Sequence, residues 1–259
     1  MDYVCTAGPG NLLEVENLGL CFRSIVRTTL KRQLIQRVIG LTKGNGTGAT
    51  EPDERFWALK DVSFTLKKGE SLGIIGANGA GKTTLLKLLA GIYPPTTGSV
   101  KYGGSILLLL QLGLGFHAEF TGAENVFLAM AFLGVGGKQV RPMLDHIFEF
   151  SGLQDFRDVP LKKYSQGMVG RLAFTISLSV DSDILVLDEV FSAGDMHWTA
   201  KGLARLEERM ASSKGLIIVS HTMAQVRAYC NKVILLHKGF VVRFGGLEVV
   251  DEYEQGIHL

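Results

Sequence analysis

Two stretches near the start of the chain alternate between apolar and polar residues. Residues 12–22 alternate loosely, which predicts an edge strand, and residues 58–66 alternate more clearly, which predicts a second strand. Between them, residues 23–43 carry six basic side chains and no acidic one, with apolar residues three or four positions apart. This pattern predicts a basic amphipathic helix. A glycine-rich loop follows at 44–53, so we expect residues 23–53 to form an insertion between two strands.

Short apolar runs further along the chain predict the strands of a buried parallel sheet. Residues 71–75 form such a run directly before a glycine-rich turn, and residues 83–90 have the pattern of a helix. Residues 184–187 and 216–219 are similar runs, each followed by polar residues. From 122 to about 164 the spacing of apolar residues is helical, which predicts a helical subdomain set into the sheet domain.

The composition is that of a packed globular protein, since 46% of the 259 residues are hydrophobic and 20% are charged. The net charge of +2 indicates no particular partner, and we expect that the chain does not bind nucleic acid. The three cysteines lack a CxxC spacing, which argues against a disulfide framework or a zinc site. We see neither a secretory signal nor an apolar run of membrane-spanning length, so we expect a cytosolic chain.

The turn after residues 71–75 carries the first candidate chemistry. It reads GANGAGKT and matches the pattern GxxxxGK[ST] between a predicted strand and a predicted helix. In such a loop the backbone N–H groups surround a phosphate chain, while a lysine reaches the terminal phosphates and a hydroxyl binds Mg²⁺. A chance match in a chain with 32 glycines is the alternative, and the flanking strand and helix argue against it. The expected nucleotide-binding residues are Gly76, Asn78, Gly79, Ala80, Gly81, Lys82, Thr83 and Thr84, of which Thr83 is a magnesium ligand.

Two adjacent carboxylates, Asp188 and Glu189, follow the apolar run 184–187. Ligands of open α/β sheets bind at the carboxyl ends of the strands. We therefore expect Asp188 to join the magnesium shell and Glu189 to polarise an attacking water as a general base. The alternative is a strand that ends in two solvated acids, and the phosphate loop upstream argues against it.

Further motifs follow the phosphate loop in a characteristic order. They are Gln111, the segment YSQGM at 164–168, ILVLDE at 184–189, a turn at 192–195 and the pair Ser220-His221. With them, the chain resembles the nucleotide-binding subunit of an ABC transporter over about residues 12–245. The resemblance implies an α/β P-loop ABC ATPase domain spanning 1–259, with a mixed sheet core, an antiparallel β subdomain and a helical subdomain at 113–181.

The resemblance also implies a dimer that binds ATP and Mg²⁺. Two copies of the chain would sandwich two ATP molecules, so that Ser165 and Gly167 of one copy meet the γ-phosphate held by Lys82 of the other. A helix N-terminus at Ser165 suits an anion, and a monomer would be inactive.

Three more roles are implied by the same resemblance. His221 would touch the γ-phosphate, Gln111 would sense Mg²⁺ and the membrane partner, and Asp195 would link the two sites. Taken singly, His221 reads as an ordinary core or surface histidine and Gln111 as an exposed amide. Their order and spacing in the chain favour the functional interpretation.

One aromatic residue should stack on the adenine. Phe22 resembles this residue, because it follows Asn17 by five positions in the first predicted strand. Phe56 and Trp57 are the alternatives, since the inserted helix at 23–43 blurs the alignment.

The chain departs from the usual LSGGQ signature, because Tyr164, Gln166 and Met168 stand where Leu, Gly and Gln would stand. The signature YSxGM, the segment LGxGFHxEFTGxENV, the phrase FWALKDVSF and an xxAGD turn are together similar to the polysaccharide-export branch of the family. That similarity implies an ATPase subunit for export of a lipid-linked polysaccharide, such as O-antigen, capsule or teichoic acid. A separate integral-membrane permease subunit would hold it at the cytoplasmic face of the cell (inner) membrane.

Two details bear on the glycan. The basic helix at 23–43 would lie near the membrane and the lipid-linked substrate, or alternatively would pack on its own domain. Residues 246–259 form only a short C-terminal tail with no room for a carbohydrate-binding domain, so we expect glycan recognition to lie elsewhere.

Three other classes of protein compete with this interpretation. A soluble ABC ATPase acting on DNA or ribosomes usually has two cassettes or a long coiled coil, and neither pattern is present. An ABC subunit that exports lipids, peptides or small molecules is opposed only by the branch-specific phrases. A P-loop kinase or GTPase would not explain YSQGM with His221, and the guanine-reading NKxD motif is absent.

Overall fold

The computed structural model of the chain describes residues 6–23, 55–109, 115–188 and 200–256. Most of the predicted insertion at 23–53 lies outside the described residues. So do three of the predicted site residues, Gln111, Glu189 and Asp195.

The described residues form two β-sheets. The strands are β1 (Asn11–Arg23), β2 (Arg55–Lys67), β3 (Ser71–Ile75), β4 (Thr97–Tyr102), β5 (Ile106–Leu109), β6 (Ile184–Asp188), β7 (Gly215–Val219), β8 (Lys232–His237) and β9 (Phe240–Gly245). The first sheet is antiparallel, in the order β2-β1-β4. The second has the order β5-β6-β7-β3-β8-β9, in which only β9 runs antiparallel to its neighbour. The expected mixed sheet and separate antiparallel sheet are therefore confirmed.

The edge position expected for the strand at 12–22 is wrong. Strand β1 lies in the middle of its sheet, paired with β2 on one side and β4 on the other. The error has a physical cause, because β4 reads TGSVKY and has too few apolar residues to be recognised as a strand from its pattern. The ladder between β1 and β2 continues to Arg23 opposite Arg55, so Arg23 belongs to the strand and not to the insertion.

The helices connect the strands and cover the larger sheet. They are α1 (Lys82–Leu89), α2 (Gly122–Phe132), α3 (Gly137–Val140), α4 (Leu144–Ser151), α5 (Gln166–Leu178), α6 (Ala200–Ser212), α7 (Met223–Tyr229) and α8 (Glu248–Glu254). Short 3-10 helices lie at Arg141–Met143, Gln154–Phe156 and Leu161–Lys163. The helical pattern predicted from 122 to 164 is thus present, but it is divided into several short pieces.

The larger sheet is buried on both faces, as its apolar runs predict. In β6, Ile184 and Val186 pack on the face that meets the antiparallel sheet and α1, whereas Leu185 and Leu187 pack on the opposite face with residues of α2, α4 and α5. Each of these four side chains is at most 1% exposed. Burial of one such side chain contributes about 1.5–3 kcal/mol, so the strand ends of this sheet form a firm base for a site.

Candidate nucleotide-binding site

The phosphate loop predicted from the sequence joins the carboxyl end of β3 to the first residue of α1. Gly76, Gly79 and Gly81 adopt φ angles of 143°, 78° and 108°, which disfavour any residue with a side chain. A Cβ atom at Gly76 would also collide with the carbonyl of Leu236 in β8. Glycine is therefore required both for the turn and for its close approach to the neighbouring strand.

Lys82 lies inside the loop and is only 6% exposed. Its Nζ donates hydrogen bonds to the carbonyl oxygens of Gly76 (2.8 Å) and Ala77 (3.0 Å). The first turn of α1 contains no acidic residue, so nothing there offsets the positive end of the helix dipole. The loop thus places an ammonium group and a helix N-terminus on one concave surface, which suits a phosphate chain.

Thr83 and Asp188 lie close together although they are far apart in the chain. The Thr83 hydroxyl Oγ1 is 3.5 Å from Oδ2 of Asp188, at the carboxyl end of β6. The structure therefore brings together the two described residues that we predicted as magnesium ligands. Among the described residues there is no group of three or more His, Cys, Asp or Glu side chains that could hold a metal ion by itself.

His221 contributes to the same site from a third strand. It follows β7 and lines a cavity of about 240 Å³ beside the phosphate loop. The other residues that line this cavity are Phe56, Ala58, Asn78, Gly79, Gly81, Lys82, Thr83 and Thr84. The loops after β3 and β7 and the strand β2 thus converge on one cavity.

Phe56, which is 65% exposed, is the one phenylalanine, tyrosine or tryptophan among the described residues that line this cavity. Phe22 instead packs edge-on against Tyr93, with ring centroids 6.3 Å apart and an interplanar angle of 87°. Trp57 has the Lys60 ammonium 6.0 Å from its ring centroid. Of the three candidates for adenine stacking, the geometry favours Phe56 over Phe22 and Trp57.

The signature segment lies outside this cavity. Ser165 is the N-cap of α5, and its Oγ accepts a hydrogen bond from the backbone N–H of Met168 (3.2 Å). The Ser165 N–H in turn points to the Met168 sulfur (3.5 Å), which completes a capping box with a thioether in place of the usual Glu or Gln. Within one copy of the chain, neither Ser165 nor Gly167 is among the described residues that line the cavity beside the phosphate loop.

Two buried polar residues hold loops in place: Ser220, which the sequence analysis named only as part of a motif, and Asn125, which it did not single out. Ser220 is 2% exposed, accepts a hydrogen bond from the Thr222 N–H (3.0 Å) and lies 2.6 Å from Oε1 of Gln225, so it braces the turn that carries His221. Asn125 is fully buried and bonds the backbone at 117–121, both as donor and as acceptor. An asparagine within the apolar pattern ENVFLAM was the available signal for the second.

The fold and the cavity define a P-loop nucleotide-binding domain, because a glycine-rich loop with a buried lysine joins a parallel strand to a helix. A family model described as "ABC transporter" matches residues 59–192, and the chain belongs to this family. The expected ABC ATPase fold is thereby confirmed.

Similar proteins with described functions show to which branch of the family the chain is related. It is 39% identical over 204 residues to the O-antigen export system ATP-binding protein RfbB of Klebsiella pneumoniae, covering 78% of this chain and 83% of the relative. It is 34% identical over 241 residues to the teichoic acids export ATP-binding protein TagH of Listeria innocua, covering 93% and 71%. The O-antigen export protein RfbB of Myxococcus xanthus is 39% identical over 233 residues, and the chain spans 52% of its length. The predicted resemblance to the polysaccharide-export branch is confirmed.

Solved structures agree with the fold. An ATP-binding subunit of an ABC transporter superposes with a TM-score of 0.66 at 21% identity, covering 95% of this chain and 94% of that one. A dimeric ATP-binding cassette in a post-hydrolysis state, bound to ADP and phosphate, gives a TM-score of 0.61 at 20% identity, covering 91% and 99%. Within the described part of the chain, we find no helix with the length and apolar character needed to cross a lipid bilayer.

Proposed function

We propose that this chain is the ATP-binding and ATP-hydrolysing subunit of an ABC transporter that exports a lipid-linked polysaccharide. One observation carries the proposal: the loop around buried Lys82, the pair Thr83 and Asp188, and His221 meet at one cavity at the end of a parallel sheet. The relatives that export O-antigen and teichoic acids supply the substrate class.

Lys82 binds the terminal phosphates in this proposal. In the structure its ammonium group is bonded to the carbonyls of Gly76 and Ala77, so it is already held at the centre of the loop. Phosphate oxygens are stronger acceptors for an ammonium than neutral carbonyls, because both partners are then charged. When ATP binds, its phosphates therefore replace the bonds between Lys82 and the loop carbonyls. The Lys82 side chain is already ordered, so binding loses little of its conformational entropy.

A Mg²⁺ ion fits beside Thr83 and Asp188. A hydroxyl and a carboxylate are the oxygen ligands that this ion prefers, and it is commonly held by one or two carboxylates together with substrate phosphates. The two oxygens are 3.5 Å apart, so Thr83 and Asp188 are the described residues that would hold the ion at this site. When bound, the ion neutralises charge on the β- and γ-phosphates.

Phe56 stacks on the adenine, while the phosphates lie over the loop. Its ring borders the same cavity as Asn78 and Lys82 and has most of its surface free for a base. Base stacking on an aromatic side chain contributes about 1–3 kcal/mol and needs no particular hydrogen-bond pattern. The assignment of Phe56 replaces our first choice, Phe22.

Hydrolysis requires groups from more than one segment and from two copies. Glu189 directly follows Asp188, so it enters beside the magnesium site as the general base, and His221 contacts the γ-phosphate from the cavity wall. Ser165 and Gly167 of the second copy meet that phosphate with the N-terminus of α5. Gln111 and Asp195 connect the site to the permease and to the second site, respectively.

A separate groove fits the permease subunit. It has a volume of about 400 Å³ and lies between β5, α2 and α5, beside Phe116, which follows the Gln111 segment closely. Its rim includes Ile92 (51% exposed), Phe132 (69%) and Leu133 (37%), which form an apolar surface. A cytoplasmic helix of the permease covers these residues and holds the chain at the cytoplasmic face of the membrane, with the basic segment 23–43 near the lipid-linked glycan.

The experiment is affinity purification of the tagged chain from membranes solubilised in mild detergent, with identification of the integral-membrane proteins recovered and measurement of ATP turnover. We expect one multi-span protein in stoichiometric amount, whose presence changes the rate. Phe132→Asp should abolish its recovery, whereas Phe244→Asp, at an exposed position of β9, should not. An active chain recovered only from the cytosol would contradict the proposal and favour a soluble ATPase.

A further inference from the structure

Tyr164 stands where the usual signature has leucine, and the structure shows what its extra hydroxyl group does. The side chain is buried, at 8% exposure, with its ring edge-on against Phe156 at a centroid distance of 5.8 Å. The hydroxyl donates a hydrogen bond to the backbone carbonyl of Phe156 (2.7 Å). Burial, with a smaller contribution from Asp158, raises the pKa of Tyr164 to about 12, so the hydroxyl remains a donor at physiological pH.

The hydroxyl also fits against a glycine from a distant part of the chain. A Cβ atom at Gly122, the first residue of α2, would collide with the Tyr164 hydroxyl oxygen. The backbone around this contact is tied across the two segments, because the N–H of Gly122 donates to the Val159 carbonyl (3.1 Å) and that of Ala123 to the Arg157 carbonyl (2.9 Å). The Tyr164 hydroxyl is therefore held between the Phe156 carbonyl on one side and Gly122 on the other.

Tyr164 immediately precedes Ser165, the residue that caps α5. Its own N–H donates to the Leu161 carbonyl (2.9 Å), which ends the 3-10 helix Leu161–Lys163. Because the ring, the hydroxyl and the backbone of Tyr164 are all held, this residue helps to set the position and direction of the chain entering Ser165, together with the capping box at Ser165 and Met168. A leucine at 164 could fill the space but could not bond the Phe156 carbonyl.

We propose that Tyr164 is a positioning residue for the signature serine: its hydroxyl, held between the Phe156 carbonyl and Gly122, places Ser165 and the N-terminus of α5 for the γ-phosphate bound by a second copy. This inference rests on the proposed function, since Ser165 acts there only across the dimer. Tyr164 itself does not touch the nucleotide. Its effect is expected in the step that needs two copies and not in the binding of ATP to one.

The test begins with Tyr164→Phe, which keeps the ring and removes only the hydroxyl. We expect kcat for ATP hydrolysis to fall between about threefold and tenfold, the range for loss of one hydrogen bond. Dimer formation with a non-hydrolysable ATP analogue, measured by sedimentation, should weaken by a similar factor. The affinity of the monomer for ATP, measured by calorimetry, and KM should stay within twofold.

Tyr102→Phe is the matched control. The Tyr102 hydroxyl also donates to a backbone carbonyl, that of Leu89 (2.9 Å), and burial likewise raises its pKa. That bond joins β4 to the end of α1 and is unconnected with the signature. We expect Tyr102→Phe to leave kcat and dimer formation at their wild-type values.

A second pair of variants tests the contact between the hydroxyl and the glycine. Gly122→Ala should lower kcat more than Tyr164→Phe, because the added methyl group displaces the hydroxyl. In the double variant Gly122→Ala with Tyr164→Phe the closest clash is gone, and the next atoms are 3.1 Å (Phe148) and 3.2 Å (Arg157 carbonyl) from the new methyl. We expect the double variant to be more active than Gly122→Ala alone.

Each outcome has a distinct meaning. Wild-type kcat and dimer formation in folded Tyr164→Phe would overturn the inference and leave the proposed function intact. A parallel loss of ATP affinity, melting temperature and kcat would also overturn it, since it would show a general packing role. A wild-type chain that neither hydrolyses ATP nor dimerises with the analogue would instead reject the proposed function, and this inference with it.

Discussion

The phosphate-loop end and the signature end of the molecule are built from different kinds of contacts. At the phosphate loop, neighbouring glycines in left-handed conformations set the backbone, and Lys82 bonds carbonyls five and six residues away. At the signature, Tyr164 depends on Phe156 and on Gly122, which is 42 positions earlier in the chain. The conformation of the first end is set mainly by its own glycines, whereas the side-chain contacts that fix Tyr164 at the second join distant segments.

This difference teaches which part of the site can vary within a family. A loop defined by its own glycines binds phosphate in the same way wherever a strand and a helix flank it. A signature held by side chains from other segments can carry a different residue only where its partners leave room for it, as Gly122 does for the Tyr164 hydroxyl. Substitutions at Glu189, Lys82, Phe56 and Met168 test this contrast, and we expect the largest effect at Glu189.

Glu189→Gln should abolish ATP hydrolysis without affecting the binding of ATP at the phosphate loop or the contact of Ser165 with it in the dimer. Removing a general base lowers a rate by about 10²–10⁴-fold, so we expect hydrolysis to become almost undetectable. ATP affinity should be unchanged, and ATP should now trap a dimer because both the phosphate loop and Ser165 are intact. Turnover and sedimentation with ATP are the measurements.

The control for this variant is Glu149→Gln on the exposed side of α4, which should hydrolyse ATP at the wild-type rate. Wild-type turnover in Glu189→Gln would show that another group activates the water. The assignment of the base, but not of the phosphate loop, would then be wrong.

The same contrast explains how far the sequence could predict the structure. The strands β3, β6 and β7 and the loop after Ser71–Ile75 were predicted because their signals are contiguous. The central place of β1 was missed because it depends on β4, whose residues TGSVKY carry little pattern. Phe22 was preferred to Phe56 because a residue spacing cannot show which of two facing aromatic residues borders the cavity.

Lys82→Ala should damage the phosphate-loop end alone. Hydrogen bonds to a charged group contribute about 1.5–3 kcal/mol, so ATP affinity should fall by roughly 10- to 150-fold by calorimetry. We expect the signature end to be unaffected, because the Lys82 bonds to Gly76 and Ala77 join residues of the loop itself. Lys87→Ala on the same helix, where the ammonium lies 5.5 Å from the Tyr93 ring centroid, is the control and should bind ATP normally. Equal affinities of the two variants would refute the role of Lys82.

Phe56→Ala should weaken ATP binding by about tenfold, within the range for loss of one stacked base. Phe22→Ala removes an equally large aromatic ring at the opposite position of the same ladder and should change affinity less than twofold. Affinity for inorganic triphosphate, which has no base, should be the same in both variants. A larger loss of ATP affinity in Phe22→Ala would restore our first choice and show that Phe56 does not stack on the base.

Substitutions at Met168 should have the smallest effect, and this effect should be on the stability of the signature segment. Its sulfur accepts the Ser165 N–H at 3.5 Å, and thioether sulfur is a weak acceptor. Met168→Gln supplies an amide oxygen to the same capping box, whereas Met168→Leu removes the acceptor and keeps the apolar volume. We expect the Gln variant to exceed the Leu variant by about 0.5–1 kcal/mol in free energy of unfolding, measured with denaturant. ATP affinity at the phosphate loop should be identical in both, because that loop is held by its own backbone. Equal stabilities would mean that the sulfur contact contributes nothing and that Tyr164 and the Ser165 hydroxyl alone fix the start of α5.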